Sequence, residues 1–357
     1  ELWMLRTKAG SRADLHARLG IRKNTVGQDV AALIEAGLIR EGPQQRDTVG
    51  RPGTLLEVDP TRRHVLGLVI DPGYVACGRV NLLGQAVGDR REATVAQPQR
   101  LIPTAARFVR ALVNEATLAV GLMVPGFIDA TRHQVLFSAS WPGLRHISLR
   151  AIAGATGGVP LYLENLTNAM ATRWLMERAT APAREHLLIY LSDGAIGATL
   201  TVGGRPMPGC IVGSNELGHT RLAVTGTPRC YCGAVGCLER IFSTEYLQQL
   251  DSASPALPEA IQRHNGRAAP SPALTRLTQL LAVGIANAVN FTRCGQVTLM
   301  SDLPGSEPYL HSLIQAIQPL ILDELSERVR IEPGPAGEPH SITTAAAPVL
   351  ARIFLVD

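Results

Sequence analysis

The sequence predicts an α/β protein in two parts, a small helical head and a larger body of two α/β lobes. Three observations carry this. Between Arg6 and Arg51, nine Lys and Arg residues face five acids, so this segment holds +4, the formal charge of the whole 357-residue chain. The remainder is therefore neutral overall, and one basic end on a balanced body points to an anionic partner for that end. Apolar spacing is helical through residue 38 and strand-like beyond Pro60. Two similar strand–turn–strand segments, VLGLVIDPG…GRVNLLGQ and HLLIYLSDGAIGATLTVGGRP, are each followed by helices, which describes one plan used twice with a cleft between the copies.

The head occupies residues 1–59. Leu2 and Leu5 seed a helix that ends near Gly10. Ser11 caps a second helix over 12–19, with Asp14 at capping-box spacing and Gly20 as its stop. A third helix starts near Lys23. Its apolar residues Val26, Val30, Leu33, Ile34 and Leu38 share one buried face, and Lys23, Asn24, Thr25 and Gln28 lie opposite. Gly27 is a poor residue for a helix interior, and the sequence offers no reason for it. Extended pieces at 38–41 and 54–59 flank a Gly/Pro/Gln/Arg loop at 42–53. Three helices and a two-stranded hairpin describe a winged helix-turn-helix.

In the body, strands are expected at 64–70, 76–81, 119–124, 159–163, 187–191, 198–202 and 296–300. Helices are expected at 102–117, 168–179, 244–250 and 274–291. Residues 251–273, rich in Pro, Ala and Ser, read as a long surface loop or a short helix with frayed flanks. The 46% apolar and 18% charged content excludes a disordered chain, and 4% aromatic content excludes an aromatic RNA-reading sheet. No run reaches the roughly 18 apolar residues of a membrane span, and no signal segment opens the chain. The expected location is cytoplasmic, with no membrane insertion.

Of six cysteines, Cys77, Cys210 and Cys294 are scattered and read as core residues, while Cys230, Cys232 and Cys237 crowd into eight positions. With His219 upstream they make the Cys₃His donor set of a closed, tetrahedral structural zinc site. Gly233 and Gly236 supply the backbone freedom that a tight C-x-C-G-x-x-G-C loop needs.

The stretch NELGHTRLAVTGTPRCYCGAVGCLER resembles the signature of the ROK family (repressors, open reading frames and sugar kinases). The head resembles that of the family's repressor branch, which includes the N-acetylglucosamine repressor and glucose-responsive Mlc-like regulators. The resemblance implies the two-lobed, actin/hexokinase-like fold of the family's sugar kinases. Residues 60–165 would form the first lobe. Residues 166–357 would form the second, with the zinc loop and a C-terminal segment able to return to the first.

The resemblance also implies residue roles. The kinase phosphate loop D-x-G-G-T reads Asp71-Pro72-Gly73-Tyr74-Val75 here. Tyr74 would obstruct the close approach that glycine permits, and Val75 lacks a hydroxyl for phosphate. In the second phosphate loop, Ser192 to Gly197, Asp193 would set a carboxylate near the phosphates. The sugar motif E-N-D-x-N reads Glu164-Asn165-Leu166-Thr167-Asn168, so Leu166 replaces the Asp that takes the proton in phosphoryl transfer. No catalytic residues, and no enzyme activity, are expected. Gly126, Asn165, Glu216, His219 and Glu239 remain as sugar-binding candidates.

At the head, Asn24, Thr25 and Gln28 of the third helix would meet base edges, with Arg22 and Lys23 on phosphates. Gly50-Arg51-Pro52-Gly53 is similar to the family's G-R-P motif, and Arg51 and Arg46 suit a narrow, A·T-rich minor groove. The expected protein is a sugar-responsive, DNA-binding repressor of carbohydrate uptake or catabolism genes. Its partners would be a palindromic operator, a sugar or phosphosugar, and a second copy of itself, with pairing into tetramers left open. In one family branch a phosphotransferase-system component captures the repressor, and the residues do not decide that point. The alternative is an active ROK sugar kinase with an accessory DNA-binding head.

Overall fold

The computed structural model describes residues 5–6, 8–44, 53–138, 145–178, 185–207, 215–222, 224–264, 270–334 and 340–354. The head contains β1 (Gly10–Ser11), α1 (Arg12–Leu19), α2 (Lys23–Glu35), β2 (Ile39–Gln44) and β3 (Thr54–Val58), and its three strands lie in the order β1-β3-β2. Ser11 and Asp14 form a reciprocal capping box at the start of α1, and Gly20, at φ 66°, ends it. Of the helix expected over residues 2–10, Leu5 and Arg6 are helical, Gly10 already belongs to β1, and residues 1–4 and 7 lie outside the described part. Arg46 and Arg51 also lie outside it.

The head is bolted to the body. Arg62 donates to the Ile34 carbonyl (3.0 Å), and Arg63 donates to the Ala36 carbonyl (2.9 Å) and to that of Glu115 in the body (2.8 Å). These bonds satisfy carbonyls at the end of α2, which a helix leaves without internal partners. Arg6 reaches the carbonyls of Leu83 (3.1 Å) and Met176 (3.0 Å). One apolar cluster runs from Leu15, Val26, Val30 and Leu56 of the head into Val65 and Val69 of the body.

The body begins with β4 (His64–Asp71), β5 (Tyr74–Asn81), β6 (Ala86–Thr94), α3 (Leu101–Leu112) and β7 (Thr117–Val124). A small antiparallel sheet follows, β8 (Phe127–Asp129), β9 (Gln134–Phe137) and β10 (Arg145–Ser148), and then β11 (Leu161–Asn165). Helix α4 (Leu166–Glu177) crosses to the second lobe, which holds β12 (Glu185–Ser192), β13 (Ala195–Val202), β14 (Arg205–Pro206), α5 (Leu238–Ile241), α6 (Pro272–Thr292), β15 (Gln296–Ser301), α7 (Ser306–Ile317) and β16 (Arg330–Pro333). The two main sheets share one plan: β6-β5-β4-β7-β11 and β14-β13-β12-β15-β16, each an antiparallel meander extended by two parallel strands. The body is thus the duplicated, two-lobed α/β architecture that the sequence predicts.

The last helix, α8 (Ile342–Phe354), packs on the first lobe, against β4, β5 and β7 and beside α4. Its approach depends on two paired glycines, Gly67 in β4 and Gly121 in β7. A Cβ at Gly67 would lie 1.9 Å from the Ile342 carbonyl oxygen, and one at Gly121 would lie 2.2 Å from that of Ala345.

Two readings change. The helix expected over 102–117 stops at Leu112, because Asn114 accepts from the Ala116 amide and the Thr117 hydroxyl and so closes a turn. The strand expected over 159–163 runs to Asn165, whose side chain then caps α4. Within 251–273 the short-helix alternative holds: Leu257–Arg263 form a helix that buries Leu257 and Ile261 completely, so this part belongs to the core of the second lobe and not to a surface loop.

His186, 1% exposed on β12, bonds Thr298 on β15 (2.9 Å). Burial, and then the Arg178 charge, lower its pKa to about 4. Its proton is therefore refused in the fold and accepted at about 6.5 in the unfolded chain. The stability it permits is full above pH 6.5 and falls as pH drops toward 4, by about 3 kcal/mol. Denaturant midpoints measured from pH 7 to pH 4 should show this loss in wild type, and His186→Gln should remove that part of the slope.

Candidate functional site

A cleft opens where the lobes meet. It holds about 120 Å³, room for one small polar molecule. Gly126, Asn165, Glu216, His219 and Glu239, five residues far apart in sequence, all line it, together with Leu166, Thr167, Tyr190, Ile196, Phe127, Phe137 and Tyr231.

Local structure explains each placement. Gly126 has φ 111°, and a Cβ there would strike the Phe137 carbonyl at 2.3 Å, so only glycine lets β8 and β9 fold back over the cleft. Asn165 ends β11, and its side-chain oxygen accepts from the Asn168 amide (2.8 Å), fixing the start of α4. Leu166 is then the first residue of α4. Glu164 accepts from the Asn165 amide (3.0 Å) and the Asn168 side chain (2.9 Å). Burial outweighs those bonds and raises its pKa. Asn168 accepts from Thr199 on β13 (2.9 Å) and so ties the two lobes beneath the cleft. At the same junction Gly197 passes so close to α4 that a Cβ would lie 2.1 Å from Thr167 Cγ2.

The second lobe contributes the 219–239 segment. His219, Cys230, Cys232 and Cys237 present four donor atoms within 4.8 Å of one another, an arrangement that can hold a metal ion. Cys232 Sγ and Cys237 Sγ are 3.6 Å apart, and Cys230 Sγ and His219 Nδ1 are 3.7 Å apart. A tetrahedral ion with bonds of about 2.3 Å to sulfur separates its ligands by roughly 3.8 Å, so donor set and spacing fit. Gly233 (φ 94°) and Gly236 (φ 87°) take the left-handed turns this loop needs. Glu239, 2% exposed at the start of α5, accepts from Tyr231 Oη and lies 3.1 Å from His219 Nδ1 and 3.0 Å from Cys230 Sγ. Glu216 lies 4.0 Å from His219 Nε2, and burial, then the Glu239 carboxylate, push its pKa up to about 7.

The residues of the two expected phosphate loops are held by partners within the chain. Asp193 accepts from the Thr244 amide and hydroxyl, so its carboxylate anchors the helix Thr244–Leu250. Tyr74 donates to Glu92 (2.8 Å) and accepts from Arg90 (3.0 Å) on β6, so its hydroxyl is drawn along the sheet. Asp71 pairs with His340 at 3.1 Å. Cys77 and Cys294 are buried; Cys210 lies outside the described residues.

On the head, Arg22, Lys23, Asn24, Thr25 and Gln28 are all exposed at the start of α2. A Cβ at Gly27 would meet nothing within 4 Å, so packing within the chain does not require glycine there. Among the described residues no helix is long and apolar enough to cross a membrane.

Sequence reasoning missed the aromatic residues of the cleft. Phe127 follows the quoted Gly126 and Tyr231 sits between two cysteines, so both were within reach; Phe137 gave no signal until β9 was placed.

The ROK family model matches residues 73–352. The xylose repressor of Bacillus subtilis is 25% identical over 351 residues, spanning 94% of this chain and 89% of its own length. A solved ROK family transcriptional regulator, a homolog of the Escherichia coli Mlc protein, superposes with a TM-score of 0.76 at 20% identity, covering 97% of this chain and 93% of its own. A ROK family glucokinase from Streptomyces griseus, solved with glucose and AMPPNP, superposes at 0.63 and 22% identity over 81% of this chain and 99% of its own. With the family model matched from residue 73 to 352, most of its length, and the fold shared with solved members, the chain belongs to the ROK family.

Proposed function

We propose that this chain is a sugar-responsive transcriptional repressor whose kinase-like body binds a sugar without phosphorylating it. One observation carries the reading: the cleft sets Leu166 beside Asn165, where proton transfer needs a carboxylate, in a chain whose head exposes Arg22, Lys23, Asn24, Thr25 and Gln28 on a single helix end. Relatives named xylose repressor support the same reading and make D-xylose the first sugar to try.

In this reading α1 and α2 with the β2–β3 hairpin are a winged helix-turn-helix. The N-cap Arg22 gives α2 no side-chain acceptor, so its first amides stay available to a DNA phosphate. Asn24, Thr25 and Gln28 meet base edges, and Arg46 and Arg51 serve the wing. Two heads on a homodimer read a palindromic operator, since a net +4 on one head neutralises few phosphates.

Asn165, Glu216 and His219 bond the sugar hydroxyls, with Gly126 leaving room for the ring. Three thiolates and an imidazole select zinc, held by His219, Cys230, Cys232 and Cys237. Zinc supplies no reaction step; it fixes the loop that carries His219, Tyr231 and Glu239 into the cleft.

Titration calorimetry with free sugars and their 6-phosphates, beside an assay of ADP release with Mg-ATP, tests the body. Saturable binding lost in Glu216→Ala, with no sugar-dependent ADP, is the expected result. Sugar-dependent ADP release that Glu216→Ala abolishes would instead identify a kinase.

A further inference from the structure

Four rings form one wall of the cleft. Phe127 and Phe137 come from the first lobe, with centroids 5.8 Å apart. His219 and Tyr231 come from the second, 5.5 Å apart and edge-on. Two contacts join these pairs across the gap, Phe127 with His219 at 6.0 Å and Phe137 with Tyr231 at 5.3 Å. The rings thus make a closed cycle, and none can turn without disturbing two neighbours. Two further contacts hold it: Arg145, which does not line the cleft, sits 4.9 Å over the Phe137 ring, and the Tyr231 hydroxyl donates to Glu239.

The cleft is therefore anisotropic. Asn165, Glu216 and His219 Nε2 offer hydrogen bonds, while the rings offer flat apolar surface. A pyranose with equatorial hydroxyls has the same character, with polar groups around its rim and C–H bonds on its faces.

We propose that Phe127, Phe137 and Tyr231 determine which sugar is accepted, by stacking on one C–H face of a pyranose ring. The inference rests on the reading of the cleft as a sugar site. Its consequence is stereochemical. Axial positions alternate around a chair, so axial hydroxyls at C2 and C4 share one face and an axial hydroxyl at C3 lies on the other. The wall penalises whichever set points at the rings.

Calorimetry on the full-length chain tests this. The parents are D-xylose and D-glucose. The C2 and C4 epimers are D-lyxose and L-arabinose, or D-mannose and D-galactose; the C3 epimers are D-ribose and D-allose. Phe127→Leu and Phe137→Leu keep apolar volume and lose the π face, and should weaken the parent sugar about fivefold to tenfold. They should also narrow the parent-to-epimer ratio for one set only, and Phe127→Tyr, which keeps a ring, should lose less affinity than Phe127→Leu and keep the parent-to-epimer ratios closer to wild type. Unchanged affinity and ratios in leucine variants with wild-type Tm would overturn the wall while leaving the sugar site standing, as would equal narrowing for both sets. A wild-type chain that binds no sugar of the panel would overturn the sugar reading, and the wall with it.

Discussion

Cys237→Ser is expected to abolish metal binding at the His219/Cys230/Cys232/Cys237 cluster and, in the proposed reading, sugar binding in the cleft with it. Cys237 is fully buried, forms the N-cap of α5, and shares the donor cluster with His219, Cys230 and Cys232. Serine is a hard, weakly acidic donor and a poor substitute for thiolate at a soft site. Structural zinc contributes about 10–16 kcal/mol of apparent binding free energy in small zinc domains; an ion held by this cluster would fix a loop rather than the whole fold. The effect should therefore concentrate on the cleft. Metal content should fall from one ion per chain to less than about a tenth, and sugar affinity by about 100-fold or more, because His219, Tyr231 and Glu239 all depend on the loop. The head's described anchors are on Leu83, Met176 and Glu115, outside this loop, so far-UV helicity and DNA affinity without sugar should stay near wild type. Elemental analysis and calorimetry on one preparation check both halves.

Gly67→Val is expected to destabilise the fold by about 3–5 kcal/mol. The clash is with backbone: the first atom of any side chain at Gly67 would lie 1.9 Å from the Ile342 oxygen, and no rotamer moves a Cβ. Gly121, its partner in the β4–β7 ladder, faces Ala345 in the same way, so the sheet cannot shift sideways to relieve the strain. The outcome is α8 lifted from the first lobe. That helix carries Phe354, whose ring lies 5.7 Å beneath the Arg6 guanidinium, so the anchor of the head loosens with it. Gly27→Ala is the control of opposite sign. Its Cβ points into open space within a helix, and it should stabilise by about 1 kcal/mol. Urea midpoints for the two variants, compared with wild type, give both numbers.

The parts of this molecule that local chemistry dictates were legible in the sequence. Ser11 with Asp14, Gly20, and the 3.6-residue spacing of Val26 and Val30 placed the helices of the head without any tertiary information. The duplicated strand–turn–strand openings showed that two lobes face a cleft, and three clustered thiols showed where a metal can sit. What escaped depends on distant contacts. Helix α8 starts at a Ser341 cap, whose hydroxyl accepts from the Thr344 amide, but its place is set by Gly67 and Gly121, 275 and 224 residues before the carbonyls they face. The edge strand β6, with charged residues at four of its nine positions, carries no apolar alternation to read. Asp193 and Tyr74 looked like damage to phosphate loops. The structure also gives them work of their own, Asp193 at the start of a helix and Tyr74 with Arg90 and Glu92. Glu239 was read from its motif as a sugar contact, yet Tyr231, His219 and Cys230 all crowd its carboxylate, a relation visible only once the loop is folded.

The central claim is that a sugar in the cleft controls DNA binding at the head. Its most direct test is fluorescence anisotropy with labelled duplex from the regulatory DNA upstream of the chain's own gene, at one fixed salt concentration, with and without saturating sugar. The account predicts binding about 10³-fold or more tighter than to unrelated duplex, and loss of at least about tenfold of that affinity when sugar is added, a coupling of the size typical between linked sites. Equal affinity for operator and unrelated DNA, or operator affinity that a bound sugar leaves unchanged, would contradict it.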